Sequence, residues 1–241
     1  MKKVVLIVQA RMGSKRYPEK SILDLSGKPM VYRILERVKR CKSIDKLVLA
    51  IPKTKENKIL KKIANDLEVK CFEGSENNLI ERFYFAAKEE KADIVGRLPA
   101  DNAVPEPEEI DKIANFHRSR KDVGFSTNLE SIFSSGYPNG IGAEMFDFSL
   151  LEEVYIKKNF DILQKEHVHL NFFNYETEVS VNKEWCNVRT IKCPKEYARP
   201  ELVLDVNNVE DGEFIKFLYE TLYERKPNFT ITDIISLLDK K

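Results

Sequence analysis

The sequence predicts an α/β fold in which a mostly parallel β-sheet lies between two layers of helices, a three-layer α/β/α arrangement. Short, continuous apolar runs such as residues 4–8 (VVLIV) are typical of parallel strands that are buried on both faces. These runs alternate with longer segments in which apolar residues recur at helical spacing. Such alternation is typical of βαβ units with right-handed crossovers.

The first half of the chain shows this alternation most clearly. Pro52 ends the second apolar run, and a Glu-Gly-Ser turn at residues 73–75 follows the third. The predicted strands are residues 4–8, 44–51, 69–72 and 94–98, and the predicted helices between them are residues 30–38, 56–69 and 77–92. We therefore expect the four strands to end at one common edge of the sheet.

The second half of the sequence is less regular. Three prolines make residues 99–107 an irregular loop, and Pro107 lies in the first turn of the next predicted helix. The next predicted elements are a helix at 106–120, a strand within 123–129 and a loop that leads into a strand within 134–148. Helical segments follow within 150–173, with an interruption near Asn159, and edge strands are predicted within 179–191 around Trp185. The chain then continues with a strand and helix at 202–224 and a helix at 231–241. No repeat or linker divides the chain, so we expect one domain, residues 1–241, with a looser second half.

Composition and charge exclude several classes of protein. The chain is 42% hydrophobic and carries 40 Lys and Arg against 39 Asp and Glu, so no overall charge favours nucleic acid or an anionic membrane. No apolar stretch is long enough to span a bilayer, and the apolar run at the start is too short for a signal peptide. The four cysteines lack metal-binding spacing, so we expect reduced thiols in a cytoplasmic protein with neither nucleic-acid nor membrane partners.

A polar, cation-rich loop, residues 9–16 (QARMGSKR), follows the first predicted strand, and Lys20 comes shortly after it. Loops at the carboxyl end of a strand hold ligands in open α/β sheets, and backbone N–H groups with fixed cations suit a phosphate chain. Neither GxGxxG nor GxxxxGK followed by Ser or Thr is present. The alternative is a basic surface loop after an ordinary strand.

The spacing of residues in this loop favours a phosphate-binding loop over a basic surface loop. The pattern R-x-G-S-x-R-x-P-x-K at residues 11–20 is followed by G-K-P-M at residues 27–30. Together they resemble the amino-terminal motif of the CMP-Kdo and CMP-acylneuraminate synthetases, cytidylyltransferases that activate acidic sugars, and above all their spore-coat-polysaccharide branch. The resemblance implies a Rossmann-like, GT-A-like nucleotidyltransferase sheet, CTP as substrate and a Mg²⁺ ion. It assigns Arg11, Arg16 and Lys20 to the triphosphate and to catalysis, and it implies CTP contacts at Gln9, Ala10, Gly13 and Ser14.

Two distant aspartates are the predicted magnesium ligands. Asp101 follows the fourth predicted strand and should lie at the same edge as the cationic loop, where Mg²⁺ would bind carboxylate and phosphate oxygens together. The alternative is an aspartate that caps a turn. Asp205 precedes residues 207–215 (NNVEDGEFI), a predicted helix start, and it matches the first acid of a D-x-D pattern in some acylneuraminate enzymes. The family pattern is altered at Ala103, where proline is usual, and at Asn207, where the aspartate is expected when the family's later acidic pair is aligned with residues 210 and 211.

Three further stretches, residues 78–87, 137–146 and 166–168, resemble the spore-coat branch. The resemblance adds Arg82 and, with weaker support, Arg97 to the contacts of CTP. It places Asn102, Glu144, His167 and Asp205 at the sugar, and Asp101 remains a contact of CTP and a catalytic residue.

Each of these residues has a structural alternative. Glu81 and Arg82 could form a solvated helical ion pair, Arg97 a structural salt bridge, and Glu144 a solvated acid at a strand end. The His167-x-His169 pair is a conceivable metal site without an evident third ligand, so we favour sugar-contacting or structural histidines. We expect His117 at the surface and Trp185 in the core or an interface.

The resemblance implies transfer of CMP from CTP to a sugar, with release of pyrophosphate, in surface polysaccharide or glycan biosynthesis. It divides the domain into a nucleotide-binding part, about residues 1–122 and 200–241, and a sugar-binding and dimerisation part, about residues 123–199, of a homodimer. One alternative is a GT-A glycosyltransferase, although residues 101–103 lack the D-x-D metal motif. The others are a sugar-1-phosphate nucleotidylyltransferase that uses another base and a nucleotide-binding module without activity.

Overall fold

The computed structural model describes residues 1–14, 16–157, 160–181 and 186–240. The strands in these ranges are β1 (Val4–Gln9), β2 (Lys46–Pro52), β3 (Lys70–Gly74), β4 (Ile94–Pro99), β5 (Phe125–Thr127), β6 (Glu144–Asp147), β7 (Phe173–Asn174), β8 (Val179–Ser180) and β9 (Val188–Arg189). The α-helices are α1 (Met30–Val38), α2 (Lys58–Asp66), α3 (Leu79–Glu89), α4 (Pro107–Ser119), α5 (Phe148–Lys157), α6 (Ile162–Glu166), α7 (Val209–Leu222) and α8 (Ile231–Leu238). The predictions near Asn159 and at Trp185 fall outside the described residues.

The central sheet has seven described strands in the order β3-β2-β1-β4-β6-β5-β9. The pairs β1–β2, β2–β3 and β1–β4 are parallel, whereas β6 runs antiparallel to both β4 and β5. Strands β7 and β8 form a separate antiparallel pair. The prediction of a mostly parallel sheet is confirmed, and the carboxyl ends of β1 and β4 lie side by side.

Helices cover both faces of this sheet because side chains of a strand alternate between the faces. Val4, Leu6 and Val8 of β1 belong to a hydrophobic cluster that includes residues of α1, α2, α4, α7 and α8. Val5 and Ile7 belong to a second cluster with residues of α3 and α5. The three-layer α/β/α arrangement is therefore confirmed. Among the described residues, none of the helices combines the length and apolar character that crossing a membrane requires.

The region before α7 differs from the prediction. Residues 202–204 form no strand of the sheet, and this region makes only isolated bridges, Asn139 to Val203 and Asn102 to Asp205. Val203 is exposed whereas Leu204 is fully buried. Leu202 and Leu204 instead pack in the first hydrophobic cluster, so the run does not extend the sheet.

Helix α7 begins with a reciprocal cap. Asn208 accepts a hydrogen bond from the backbone N–H of Asp211 (2.9 Å), and the Asp211 carboxylate accepts from the N–H groups of Asn207 (2.8 Å) and Asn208 (3.1 Å). Such capping boxes satisfy N–H groups that a helix start leaves free. The cap fixes the backbone immediately after Asp205.

Gly140 lets residues 202–206 approach this closely. Its φ of +96° is a conformation that side chains rarely adopt, and a β-carbon there would lie 3.1 Å from the Leu204 carbonyl carbon and 3.2 Å from the Asp205 nitrogen. We expect Gly140→Ala to lower the free energy of unfolding by about 1–3 kcal/mol, measured by urea denaturation. Gly13→Ala is the matched control, because nothing lies within 4 Å of its β-carbon position. Equal stability of the two variants would contradict the expectation.

Candidate active site

A cavity of about 1110 Å³ opens at the carboxyl ends of β1 and β4. Thirteen of the fourteen predicted site residues line it: Gln9, Ala10, Arg11, Ser14, Arg16, Lys20, Arg82, Arg97, Asp101, Asn102, Glu144, His167 and Asp205. Gly13 is the one predicted residue that is not among the described lining residues. The structure therefore brings residues from distant parts of the sequence into one cleft.

Hydrogen bonds to and from its backbone hold the cationic loop in place. The Met12 N–H donates to the Asn57 side chain (2.9 Å), and Ser21 Oγ donates to the Arg11 carbonyl (2.9 Å). These bonds use no charged atom of the loop. The side chains of Arg11 and Arg16 are exposed and form no salt bridge with other described residues, so both remain available to an anionic ligand.

Lys20 joins this loop to the two aspartate segments. Its Nζ donates to the Val206 carbonyl (2.6 Å) and lies 3.3 Å from Asp101 Oδ2. The Val206 N–H in turn donates to the Asp101 carbonyl (2.9 Å), next to the bridge between Asn102 and Asp205. Asp101, Asp205 and the cationic loop thus meet at one edge of the sheet.

The Asp205 carboxylate is incompletely satisfied. Its Oδ2 accepts from Asn207 Nδ2 (2.8 Å), but its Oδ1 is buried without a hydrogen-bond partner among the described residues. Burial raises the pKa of Asp205, the bond from Asn207 opposes that rise, and the charge of Asp101 adds to it. A cation between the two carboxylates would offset these costs.

The donor set fits Mg²⁺ only together with a ligand. The described residues contain no group of three or more His, Cys, Asp or Glu side chains that could hold a metal by themselves. Mg²⁺ is commonly bound by one or two carboxylates plus substrate phosphates. Asp101 and Asp205 at the edge of a cation-lined cleft match that pattern.

Comparison with known proteins agrees with this geometry. A family model described as Cytidylyltransferase matches residues 5–200. The chain belongs to the cytidylyltransferase family. It is 27% identical to the spore coat polysaccharide biosynthesis protein SpsF of Bacillus subtilis, over 100% of this chain and 95% of SpsF. It is 36% identical to a 3-deoxy-manno-octulosonate cytidylyltransferase of Chloroherpeton thalassium, over 45% of this chain and 44% of that enzyme.

The solved structures support the same assignment. A cytidylyltransferase from Leptospira borgpetersenii matches with a TM-score of 0.84 and 26% identity, over 100% of this chain and 95% of that one. This cytidylyltransferase is therefore an enzyme with a nucleotidyltransferase α/β fold, and its family implies a nucleotide substrate. The predicted family and fold class are confirmed.

Arg97 and Glu144 form a buried ion pair beneath the cleft of the cytidylyltransferase. Both Glu144 oxygens lie 2.7 Å from Arg97 Nη1, and Arg97 Nε donates to Gln9 Oε1 (3.0 Å). The Tyr175 hydroxyl donates to Glu144 (2.9 Å) and lies 3.0 Å from Thr127 Oγ1. Glu144 is fully buried, so the alternative of a solvated acid at a strand end is wrong. The salt bridge foreseen as the alternative for Arg97 is present.

The Arg82 side chain donates hydrogen bonds to backbone carbonyls and does not pair with its neighbour Glu81. Its Nε donates to the Ser75 carbonyl (2.9 Å) and its Nη2 to the Glu76 carbonyl (3.3 Å), and it is buried at 4% exposure. The alternative of a solvated pair with Glu81 is therefore wrong. Burial, together with the nearby charge of Arg11, lowers the pKa of Arg82 to about 10. Two neighbouring cations suit an anionic ligand.

The histidines do not behave alike. His117 is fully buried, with Nδ1 at 2.9 Å from Ser126 Oγ and Nε2 at 3.7 Å from Asp147. The prediction of a surface residue is wrong because this face of α4 packs on β5 and β6. His167 and His169 both line the cleft with ring centroids 5.8 Å apart. Burial lowers both pKa values, to about 2 for His169, so both rings are neutral near pH 7.

Sequence reasoning missed several residues of this cleft. Tyr175, Asn139 and Glu130 line it and were not singled out. They lie outside the regular strands and helices, so no hydrophobic period marks them. Two of them had a detectable signal: Asn139 lies within residues 137–146, which resemble the family, and Tyr175 comes shortly after the His167 segment.

Proposed function

We propose that this cytidylyltransferase transfers CMP from CTP to a sugar hydroxyl and releases pyrophosphate. The hydroxyl oxygen bonds to the α-phosphorus, the bond to the β-phosphate breaks, and the hydroxyl proton is released. The observation that carries the proposal is the position of Lys20 Nζ, 3.3 Å from Asp101 and 2.6 Å from the Val206 carbonyl. It joins the cationic loop to Asp101 and to Val206, the residue that follows Asp205.

The cations of the loop would bind the β- and γ-phosphates. Negative charge accumulates on these groups as pyrophosphate leaves, and fixed positive charges in a cleft stabilise it without reorganisation. Arg11 and Arg16 are exposed towards this space, and Lys20 is held in place by two oxygen partners. Arg82 adds a fourth positive charge beside Arg11.

Asp101 and Asp205 would hold Mg²⁺ against the phosphates. The ion, when bound, supplies Lewis-acid neutralisation of the phosphate oxygens and lowers the pKa of an attacking hydroxyl. The partnerless Oδ1 of Asp205 supports this assignment. Asn207 stands where the family usually has an aspartate. Its side-chain amide donates a hydrogen bond to Asp205 but carries no charge.

We propose an acidic sugar as the acceptor. Arg97 uses Nε and Nη1 for Gln9 and Glu144, and no described residue accepts a hydrogen bond from its Nη2. That nitrogen can bind a sugar carboxylate at the wall of the cleft. The names of two relatives, a 3-deoxy-manno-octulosonate cytidylyltransferase and a spore coat polysaccharide biosynthesis protein, support a sugar acid used for a surface polysaccharide.

Pyrophosphate release tests this function. We expect the protein to release pyrophosphate when it is mixed with CTP, MgCl₂ and either 3-deoxy-manno-octulosonate or N-acetylneuraminate, and a CMP-sugar to appear by mass spectrometry. ATP, GTP and UTP serve as controls for the base. Pyrophosphate formed only with sugar 1-phosphates would favour the other nucleotidylyltransferase class. Absence of pyrophosphate in every mixture would contradict the proposal.

The homodimer and the cytoplasmic location stay predictions. Ile156, Ile162 and Leu163 are 66%, 75% and 60% exposed within the part assigned to dimerisation. Exposed apolar patches are typical of surfaces that pair with another chain. The mass of the protein in solution tests the dimer, and a monomer would contradict it.

A further inference from the structure

Glu130 stands out among the residues of the cleft because no cation of the described residues pairs with it. It is partly buried at the cavity wall, yet it forms no hydrogen bond or salt bridge with the part of the chain that the structure describes. Burial, together with the charges of Glu144 and Asp205, raises the pKa of Glu130 to about 7. Arg97 pairs with Glu144, whereas the Glu130 carboxylate is open to the cleft and can accept a hydrogen bond from a ligand there.

The backbone explains how Glu130 comes close to the candidate metal site. The Gly140 N–H donates to the carbonyl of Leu129, next to Glu130 (2.8 Å). Gly140 also lies against the backbone of Leu204 and Asp205. These stacked segments place Glu130 on the side of the cleft that holds Asp205.

A second, independent group points to a ligand in the same cleft. Asn102 is 3% exposed, lines the cavity, and its Nδ2 is buried without a hydrogen-bond partner among the described residues. An unpaired buried N–H group is costly unless a ligand supplies an acceptor. The cleft therefore offers a free acceptor, Glu130, and a free donor, Asn102. A sugar hydroxyl can both donate and accept a hydrogen bond, and it matches this pair.

We propose that Glu130 is a specificity-determining residue that accepts a hydrogen bond from a neutral hydroxyl of the acceptor sugar and excludes acceptors with a phosphate at that position. This inference rests on the proposed function. A phosphate there would face Glu130, Glu144 and Asp205, and among the described residues only Glu144 of these three has a cationic partner. The sugar carboxylate is held elsewhere, at Arg97.

Steady-state kinetics separate the two parts of the proposal. The acceptors are 3-deoxy-manno-octulosonate and N-acetylneuraminate, each compared with its phosphate ester on the terminal hydroxyl, at saturating CTP and MgCl₂. We expect the wild type to use the free sugar at least tenfold better than the ester. Glu130→Ala should raise KM for the free sugar about tenfold, as expected when a hydrogen bond to a charged group is lost, with KM for CTP unchanged.

Glu130→Gln separates charge from hydrogen bonding. Its amide oxygen still accepts a hydrogen bond, so we expect a smaller rise in KM for the free sugar but a clear loss of discrimination against the ester. Glu224→Gln, an equal change of charge at an exposed helix end, is the control. Binding of CTP by each variant confirms that it is folded.

Different results of these experiments would overturn different parts of the proposal. If the wild type releases no pyrophosphate with any of these sugars, the proposed function fails and the role of Glu130 fails with it. If the wild type is active but Glu130→Ala keeps its KM for the sugar, only the role of Glu130 is overturned. Equal use of free sugar and ester by the wild type would overturn the exclusion of phosphate.

Discussion

Asp101→Ala is expected to lower the rate of pyrophosphate release by about 10²–10³-fold, the usual effect of removing one preorganised electrostatic group. The variant loses a candidate metal ligand and one of the two oxygen partners of Lys20 Nζ. Lys20 keeps its bond to the Val206 carbonyl, and the Asp101 side chain is partly exposed, so the fold should remain intact. Rates are measured with CTP, MgCl₂ and the sugar acceptor.

Asp66→Ala is the matched control, since this exposed aspartate at the end of α2 lies in no described salt bridge or cleft. The thermal midpoint of Asp101→Ala should stay within a few degrees of the wild-type value, because the Asp101 side chain is partly exposed and Lys20 keeps its bond to the Val206 carbonyl. Wild-type rates in Asp101→Ala would remove this residue from the mechanism. A large fall in the midpoint would instead mean that the loss of activity reflects unfolding.

Glu144→Gln is expected to destabilise the protein by about 3–5 kcal/mol, the cost of leaving one partner of a buried ion pair without its counter-charge. Arg97 would remain 4% exposed, with Gln9 as its other side-chain partner. Tyr175 would also lose a charged acceptor for its hydroxyl. Urea denaturation at neutral pH measures the change in the free energy of unfolding.

The double variant Arg97→Met with Glu144→Leu distinguishes pairing from simple loss of packing. Replacing both charges by apolar side chains of similar volume is often neutral, so it should be clearly more stable than Glu144→Gln alone. The single and double variants would be equally unstable if the pair contributed nothing. A normal stability of Glu144→Gln with a raised KM for the sugar would make Glu144 a direct sugar contact, as the family resemblance implied.

The cationic loop shows how much of the site can be predicted from contiguous residues alone. Its glycine, serine and cation spacing, followed by the G-K-P-M turn, identified the family because the chemistry of phosphate binding is contained in contiguous residues. The same holds for the alternation of β1–β4 with α1–α3, since strand and helix periods are local properties. Asp101 was found because it directly follows a predicted strand.

The wrong predictions, in contrast, concern residues whose burial or pairing depends on distant segments. His117 lies on a helix whose pattern does not show which face is covered, and β5 and β6, which bury it, come later in the chain. The apolar residues 202–204 resemble a strand, but the sheet offers them only isolated bridges. Burial by distant segments is a property of packing, and a local pattern does not contain it.

The amino-acid sequence by itself determined the α/β class, the family and the candidate residues for binding a triphosphate, because those depend on local period and on motifs of adjacent residues. Only the tertiary structure decided which charges are neutralised. It paired Arg97 with Glu144, set Lys20 between Asp101 and Val206, and left Asp205 Oδ1 and Glu130 without partners among the described residues. Electrostatic compensation depends on distances between residues far apart in the chain, and these are fixed only when the segments pack.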